Sequence, residues 1–396
     1  MNIFRLTIIF FSLVLATILA KAEVNHADSI TEANVSLLIC SPGSEIYELE
    51  GHAALRINHP AYGDFIVNWG VFDFNTPNFA YRFTKGETDY QAAAAPTNLF
   101  VNQYRYEGRG IIEIPVKLTS EQIETVISSI TENLKPENRV YHYNYVYDNC
   151  STRPLEIIQR ATGDSIATAW PDQFGKGETF RSLMTYYHRN YPWYQFGIDL
   201  ALGSGIDKKI TSAQATFAPV MVPNLINNDK RFGKPSTIIE ETDGGPKKAT
   251  PWFLTPLFAG WLLFAISIAV TIFEGQYPKL GMWFDRIYYL LVALTGILLT
   301  FLIFISIHEA TSPNWLYLWL NPLALIVVIG TGINRLTTLV LLYQIINFAS
   351  LIALCIIAAT GIQVLNPAFY PLILIDLLRS ADYIYKNKLC QLRKNY

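Results

Sequence analysis

Hydrophobic and polar positions fall into two regimes along the chain. Up to about residue 250, short apolar runs alternate with polar, glycine-marked stretches, the spacing of strands and short helices; after Pro251 the apolar runs reach bilayer-spanning length. The mostly apolar run Val35 to Cys40, interrupted only by Ser36, predicts a buried strand ended by the turn Ser41-Pro42-Gly43. Gly51 to Ile57 and Asp64 to Val71 predict two more strands, joined as a hairpin through Asn58 to Gly63. Phe72 to Asn75 continues into an aromatic-rich loop, and Gly108 to Val116 is a further strand candidate. Thr119 or Ser120 caps a helix that places Ile123, Val126, Ile127 and Ile130 on one face. Tyr141 to Tyr147 alternates aromatic with other residues, as a strand or extended entry segment does; Leu155 to Arg160 reads as a short helix. Helices and loops are expected from Trp170 to Ile226, with Gly197, Gly203, Gly205 and Asp207 at turns.

The ends of the chain define its compartments. Arg5, the apolar run Leu6 to Leu19 and the small-x-small site Ala20-Lys21-Ala22 predict a secretory signal over residues 1–22. Residues 23–227 are then an exported catalytic domain, 228–250 a polar linker, and 251–396 a membrane domain. About five spans are expected there, near Trp252–Phe273, Ile287–Ile307, Trp315–Gly332, Leu339–Ala359 and Ala368–Tyr385. The third is interrupted by Pro322 and the fifth by Pro371, Asp376 and Arg379, so both are candidates for partly re-entrant segments. Lys279 and Arg286, Arg335, and Lys386, Lys388, Arg393 and Lys394 follow the odd-numbered spans and mark cytoplasmic ends. The turns His308–Asn314 and Gly361–Pro367 then face outward, with the exported domain.

Composition narrows the chemistry. A net charge of −2 without a basic stripe argues against nucleic-acid binding. Cysteines at 40, 150, 355 and 390 make no disulfide framework. Leu37-Leu38-Ile39-Cys40 lacks the small residues of a lipobox. No C-x-x-C, H-E-x-x-H, Walker-type or dinucleotide pattern occurs, so neither a metal nor another cofactor is expected. Nothing in the sequence speaks to oligomeric state.

Cys150 is the best nucleophile candidate. Asp148 and Asn149 are N-cap residue types and Pro154 suits a first helical turn, so Cys150 falls at or just before a helix start. Helix-start N–H groups there favour a thiolate, and Arg153 would act in the same direction. A thiolate needs a base, and His52 begins an apolar strand where a histidine is otherwise costly. Asn68, on the partner strand of the hairpin, is placed to orient it. Blander readings stand beside this one. A structural Cys150, or one disulfide-bonded to Cys40 in an oxidising compartment, is the alternative. His59 and Asp64 read as turn residues, and His142 and His188 as surface or aromatic-cluster residues. His308 and Glu309 either meet lipid headgroups or end a helix. The tyrosines 141, 143, 145 and 147 read as packing faces of one strand, with one hydroxyl available to an oxyanion.

The segments Leu38-Ile39-Cys40-Ser41-Pro42-Gly43, Gly51-His52-Ala53-Ala54-Leu55-Arg56, Asn68 to Phe74, Tyr143 to Arg153, and Asn314-Trp315 with Trp319-Leu320-Asn321-Pro322 occur in an order that resembles the Lnb-type lipoprotein N-acyltransferase family of Bacteroidota. The Asn149-Cys150 element also resembles circularly permuted papain-like thiol enzymes of the NlpC and lecithin:retinol acyltransferase type, in which an early-strand histidine serves a later cysteine. The resemblance implies an α+β permuted papain-like periplasmic domain followed by an all-α multi-span domain in the inner membrane. It carries Cys150 over as nucleophile and His52 as base, with no motif to fix Asn68 as the third residue. The implied activity moves an acyl chain from a membrane phospholipid, through a Cys150 thioester, to the α-amino group of a diacylated lipoprotein. Backbone N–H groups at the helix start, that of Cys150 included, would hold the oxyanion. The rival activities are a membrane-anchored thiol peptidase or amidase of the cell envelope, and a non-enzymatic envelope scaffold.

Overall fold

A computed structural model describes residues 32–394 except Lys176, with side chains of the final helix described as far as Asn387. The expected signal over residues 1–22 lies outside the described residues. The chain divides into two compact units, each assembled from three separate stretches.

Of the described residues, the first unit holds 32–74, 89–175 and 211–246. Its frame is an antiparallel sheet of seven strands: β1 Asn34–Cys40, β2 His52–His59, β3 Gly63–Val71, β4 Asp89–Pro96, β5 Ile111–Val116, β6 Val140–His142 and β7 Ser236–Ile239, in the order β6-β4-β3-β2-β1-β5-β7. The mostly apolar β1, with one serine at 36, fits its place inside the sheet, flanked by β2 and β5 and buried on both faces from Val35 on. Alternation sorts the side chains. Val35, Leu37, Ile39, Ala53, Leu55, Ile57, Val67 and Trp69 join one core. Leu38, Cys40, Ala54 and Ile66 join a second core on the opposite face. Helix α1, Thr97–Tyr106, covers the second face with Phe100 and Tyr104. Helices α2, Ser120–Leu134, and α3, Thr152–Thr162, cover the first, through Ile123, Val126 and Ile130 and through Leu155, Ile157 and Ile158. Thr119 caps α2 in a reciprocal capping box with Gln122.

Three stretches depart from the sequence reading. The tyrosine run is not one strand: β6 stops at His142, and Asn144 and Asp148 then pair to close a tight loop. The expected linker 228–250 is largely part of the sheet unit. Phe232 bridges to Val116, β7 pairs with β5, and the Thr242 and Gly244 N–H groups donate to the Gly108 carbonyl. Its polar surface is that of an edge strand, which periodicity over four residues does not separate from a linker. The stretch 75–88 contains the helix Phe79–Lys85 and, with 177–210, belongs to the second unit, so 23–227 is not a single compact domain.

The second unit contains, besides these stretches, residues 247–396. Helices α4, Phe180–Tyr187, and α5, Pro192–Ala201, precede α6, Pro256–Phe273, α7, Pro278–Phe304, α8, Thr337–Ala359, and α9, Phe369–Lys394. Among the described residues three helices are long and apolar enough to cross a membrane: Pro256–Phe273, Pro278–Phe304 and Asn334–Ala359. The expected third span is a broken segment, with short 3-10 turns at Trp315–Leu318 and Pro322–Ala324 before the helix Leu325–Gly330. The expected fifth is the 26-residue α9. Two of its charged residues are turned inward and hydrogen-bonded: Arg379 bonds Asp285 and Glu274, and Asp376 accepts from Tyr289 and Asn347.

Candidate active site

The hairpin register puts Ala54 opposite Asn68, so His52 and Asn68 lie on the same face of adjacent strands, one diagonal step apart. His52 Nε2 meets Asn68 Oδ1 at 2.9 Å. With the amide oxygen as acceptor, Nε2 carries the hydrogen and Nδ1 is left open, and the Cys150 sulfur acts electrostatically on the ring. Between Asn68 and Val71 the pairing of β3 with β4 gains one residue. Gly70, at φ 88°, supplies the left-handed conformation of this bulge. A Cβ there would stand 3.1 Å from the Tyr143 ring, tighter than ordinary contact, so the bare backbone is what lets Tyr143 close over the strand; Cys150 Cβ, at 3.9 Å, would be in ordinary contact.

Cys150 stands two residues before α3 and is 8% exposed. The helix start is built by Asn149. Its Oδ1 accepts from the N–H groups of Ser151 and Thr152, and its Nδ2 donates to the carbonyls of Tyr145 and Phe217, at 2.8 to 3.0 Å. The Arg153 N–H goes to the Asn149 carbonyl, and the Asn149 N–H to Thr152 Oγ1. The amides expected to bathe the sulfur are therefore taken, and the Cys150 N–H is left without an acceptor among the described residues. Arg153 does not serve the sulfur either: Asp148 holds it at 2.5 and 2.7 Å, and it lies 3.4 Å over the Tyr141 ring.

The thiol is tuned by other groups. Burial pushes it up, but the His52 charge and hydrogen bond, a bond from the Ala53 backbone and the Tyr143 hydroxyl outweigh burial, and the thiol lies below its ordinary value. Burial pushes His52 down. The facing Cys150 charge, the bond to Cys150 and the bond to Asn68 outweigh that and the opposing Arg109 charge, so the imidazole lies above its ordinary value. Both shifts favour a thiolate–imidazolium pair. Cys40, paired with His52 across β1 and β2, behaves oppositely: burial pushes its thiol up to about 12. Cys40 and Cys150 are both free thiols, so the disulfide reading finds no support.

The other candidates fall away from this centre. His59 stacks on Tyr62 in the hairpin turn. Asp64 is no mere turn residue; it pairs with Arg56 at 2.7 Å. His142 is exposed, and His188 is buried against Tyr194 and Gln195. His308 Nε2 bonds the Phe83 carbonyl at 2.8 Å. Gly70 and the place of Tyr143 against the sulfur were not read from the sequence; Asn149 was read as a cap residue type, but not the four hydrogen bonds it makes. A glycine inside a strand pattern is the one signal that pointed to the bulge. No group of three or more His, Cys, Asp or Glu side chains that could hold a metal occurs among the described residues.

These features define a class: a membrane protein whose N-terminal, sheet-containing domain brings a buried Cys150 together with half-buried His52 and Asn68, and whose C-terminal region is helical and apolar. Two family models match the chain, the Lnb N-terminal periplasmic domain over residues 20–185 and the Lnb transmembrane domain over 248–389. The chain belongs to the Lnb family. No curated protein and no solved structure matches it.

Proposed function

We propose that the protein is a lipoprotein N-acyltransferase of the inner membrane, with Cys150 as nucleophile, His52 as acid and base, and Asn68 as the residue that orients His52. The observation that carries this reading is the Cys150–His52–Asn68 constellation, in a chain whose other domain is the Lnb transmembrane domain. The Cys150 thiolate attacks an ester carbonyl of a phospholipid, and the His52 imidazolium protonates the departing alcohol. The neutral imidazole then takes a proton from the incoming α-amine of a diacylglyceryl-cysteine lipoprotein as it attacks the thioester. The unpartnered Cys150 N–H is the donor available to the oxyanion. Both substrates reside in a bilayer, which accounts for a thiol domain fused to several apolar helices rather than to a single anchor. Aminolysis must outrun hydrolysis of the thioester, so water has to be kept from the acyl-enzyme.

The test is a membrane-embedded Cys150→Ala protein supplied with phospholipid and a diacylated lipopeptide. Wild type should add one acyl chain to the lipopeptide N-terminus, read by mass spectrometry, and Cys150→Ala should add none. Transfer by both proteins would make Cys150 structural. Transfer by neither would leave the same thiol to the peptidase or amidase reading.

A further inference from the structure

Tyr143 has no role in the mechanism above, yet its hydroxyl donates to Cys150 Sγ across 3.9 Å. The ring is held from two sides. It stacks on Tyr90 with centroids 4.6 Å apart and planes at 28°. Its edge fills the space beside Gly70, where a Cβ would come within 3.1 Å. A left-handed glycine and an aromatic stack thus hold one hydroxyl against the reacting sulfur. Packing alone would be served by phenylalanine; a hydroxyl sunk among rings needs an acceptor, and among the described residues the sulfur is the one it has.

We propose that Tyr143 is a further catalytic residue, whose hydroxyl holds the Cys150 sulfur while it is charged and supports its departure when the thioester breaks. The second half of this role rests on the acyltransferase reading; the first does not. In acylation the C–S bond forms, the ester C–O bond breaks, and the leaving alkoxide takes the His52 proton. In aminolysis the C–N bond forms, the C–S bond breaks with its electron pair returning to sulfur, and the amine proton passes to His52. Tyr143 keeps its proton throughout. Its bond is strong to a thiolate and weak to a thioester sulfur, so it assists expulsion more than attack. The groups facing the sulfur are His52 and the Ala53 backbone on β2, and Tyr143; Cys40 on β1 and Tyr141 on β6 act from farther out. Tyr143 itself is faced by Tyr141 and Tyr90.

The test uses the full chain in phospholipid nanodiscs and begins with the pH midpoint of Cys150 alkylation by iodoacetamide, followed by mass spectrometry. Tyr143→Phe should raise the midpoint by about one pH unit, the worth of a hydrogen bond to a charged group. Tyr141→Phe, on a ring centred 6.4 Å from that of Tyr143, should leave it in place. Tyr90→Leu, which removes the stack and keeps the hydroxyl, should shift it the same way by less. Given donor phospholipid and then lipopeptide, Tyr143→Phe should accumulate acyl-enzyme and release it about tenfold more slowly. Unchanged midpoints in both Tyr143→Phe and Tyr90→Leu overturn the hydrogen bond to the thiolate, whether or not acyl transfer is seen. A raised midpoint with release at the wild-type rate overturns the leaving-group role. A raised midpoint in an enzyme that never forms a thioester supports the hydrogen bond and overturns the acyltransferase reading instead.

Discussion

At the residue scale, the opposed shifts of Cys150 and His52 set a pH window. Cys150 lies below its ordinary value, so it stays a thiolate to lower pH than a free thiol does. His52 lies above its ordinary value, so it stays protonated to higher pH than a free imidazole does. Acyl transfer should follow a bell: it is lost on the acid side as the thiolate protonates, and on the alkaline side as the imidazolium that protonates the leaving alcohol disappears. His52→Ala removes the largest effects that hold the thiol down and leaves burial opposed only by the Ala53 backbone bond and the Tyr143 hydroxyl. The alkylation midpoint of Cys150 should therefore rise, and an unmoved midpoint would mean that His52 does not face the sulfur. Asn68→Ala should slow transfer by about tenfold, the worth of the lost hydrogen bond to the imidazole, in single-turnover kinetics with donor phospholipid.

At the element scale, the start of α3 hangs on one side chain. Asn149→Ala strips four hydrogen bonds from a residue 2% exposed, and should destabilise the sheet unit by about 3 kcal/mol in chemical denaturation followed by tryptophan fluorescence. The same element shows what the sequence could and could not disclose. Asp148-Asn149-Cys150 announced a helix start and a nucleophile, because cap chemistry is local. It did not disclose that Asn149 would consume the amides, nor that Asp148 would take Arg153, because those choices depend on where the loop 143–149 closes. His52 and Asn68 were legible for the opposite reason: a short hairpin loop, three residues once His59 pairs with Gly63, and alternation along the strands leave few registers. The helix Phe79–Lys85, β4, α1 and β7 were missed. Their runs are short, polar or alanine-rich, and for β7 the partner strand β5 lies far away in sequence.

At the scale of the whole molecule, the units exchange chain segments, so a cut at residue 250 does not release a finished domain. Within the helical unit, the segment 177–210 depends on later residues. The Gly203 N–H donates to the Ala310 carbonyl, Asn314 Nδ2 to the Leu200 carbonyl and Asn366 Nδ2 to Asp199, and Phe196 packs on Phe369. A chain ending at residue 250 should show early proteolytic cleavage between 177 and 210 and no acyl transfer; a stable, protected segment there would contradict this dependence. The central claim is that the Cys150 sulfur itself carries the acyl chain, and one measurement addresses it directly. The full-length protein is incubated in nanodiscs with phospholipid and no acceptor, digested, and the Cys150 peptide is weighed before and after neutral hydroxylamine. A hydroxylamine-labile acyl group on Cys150, absent in His52→Ala and discharged by added diacylated lipopeptide, is the expected result. An enzyme that acylates lipopeptide while the Cys150 peptide never gains that mass would contradict it.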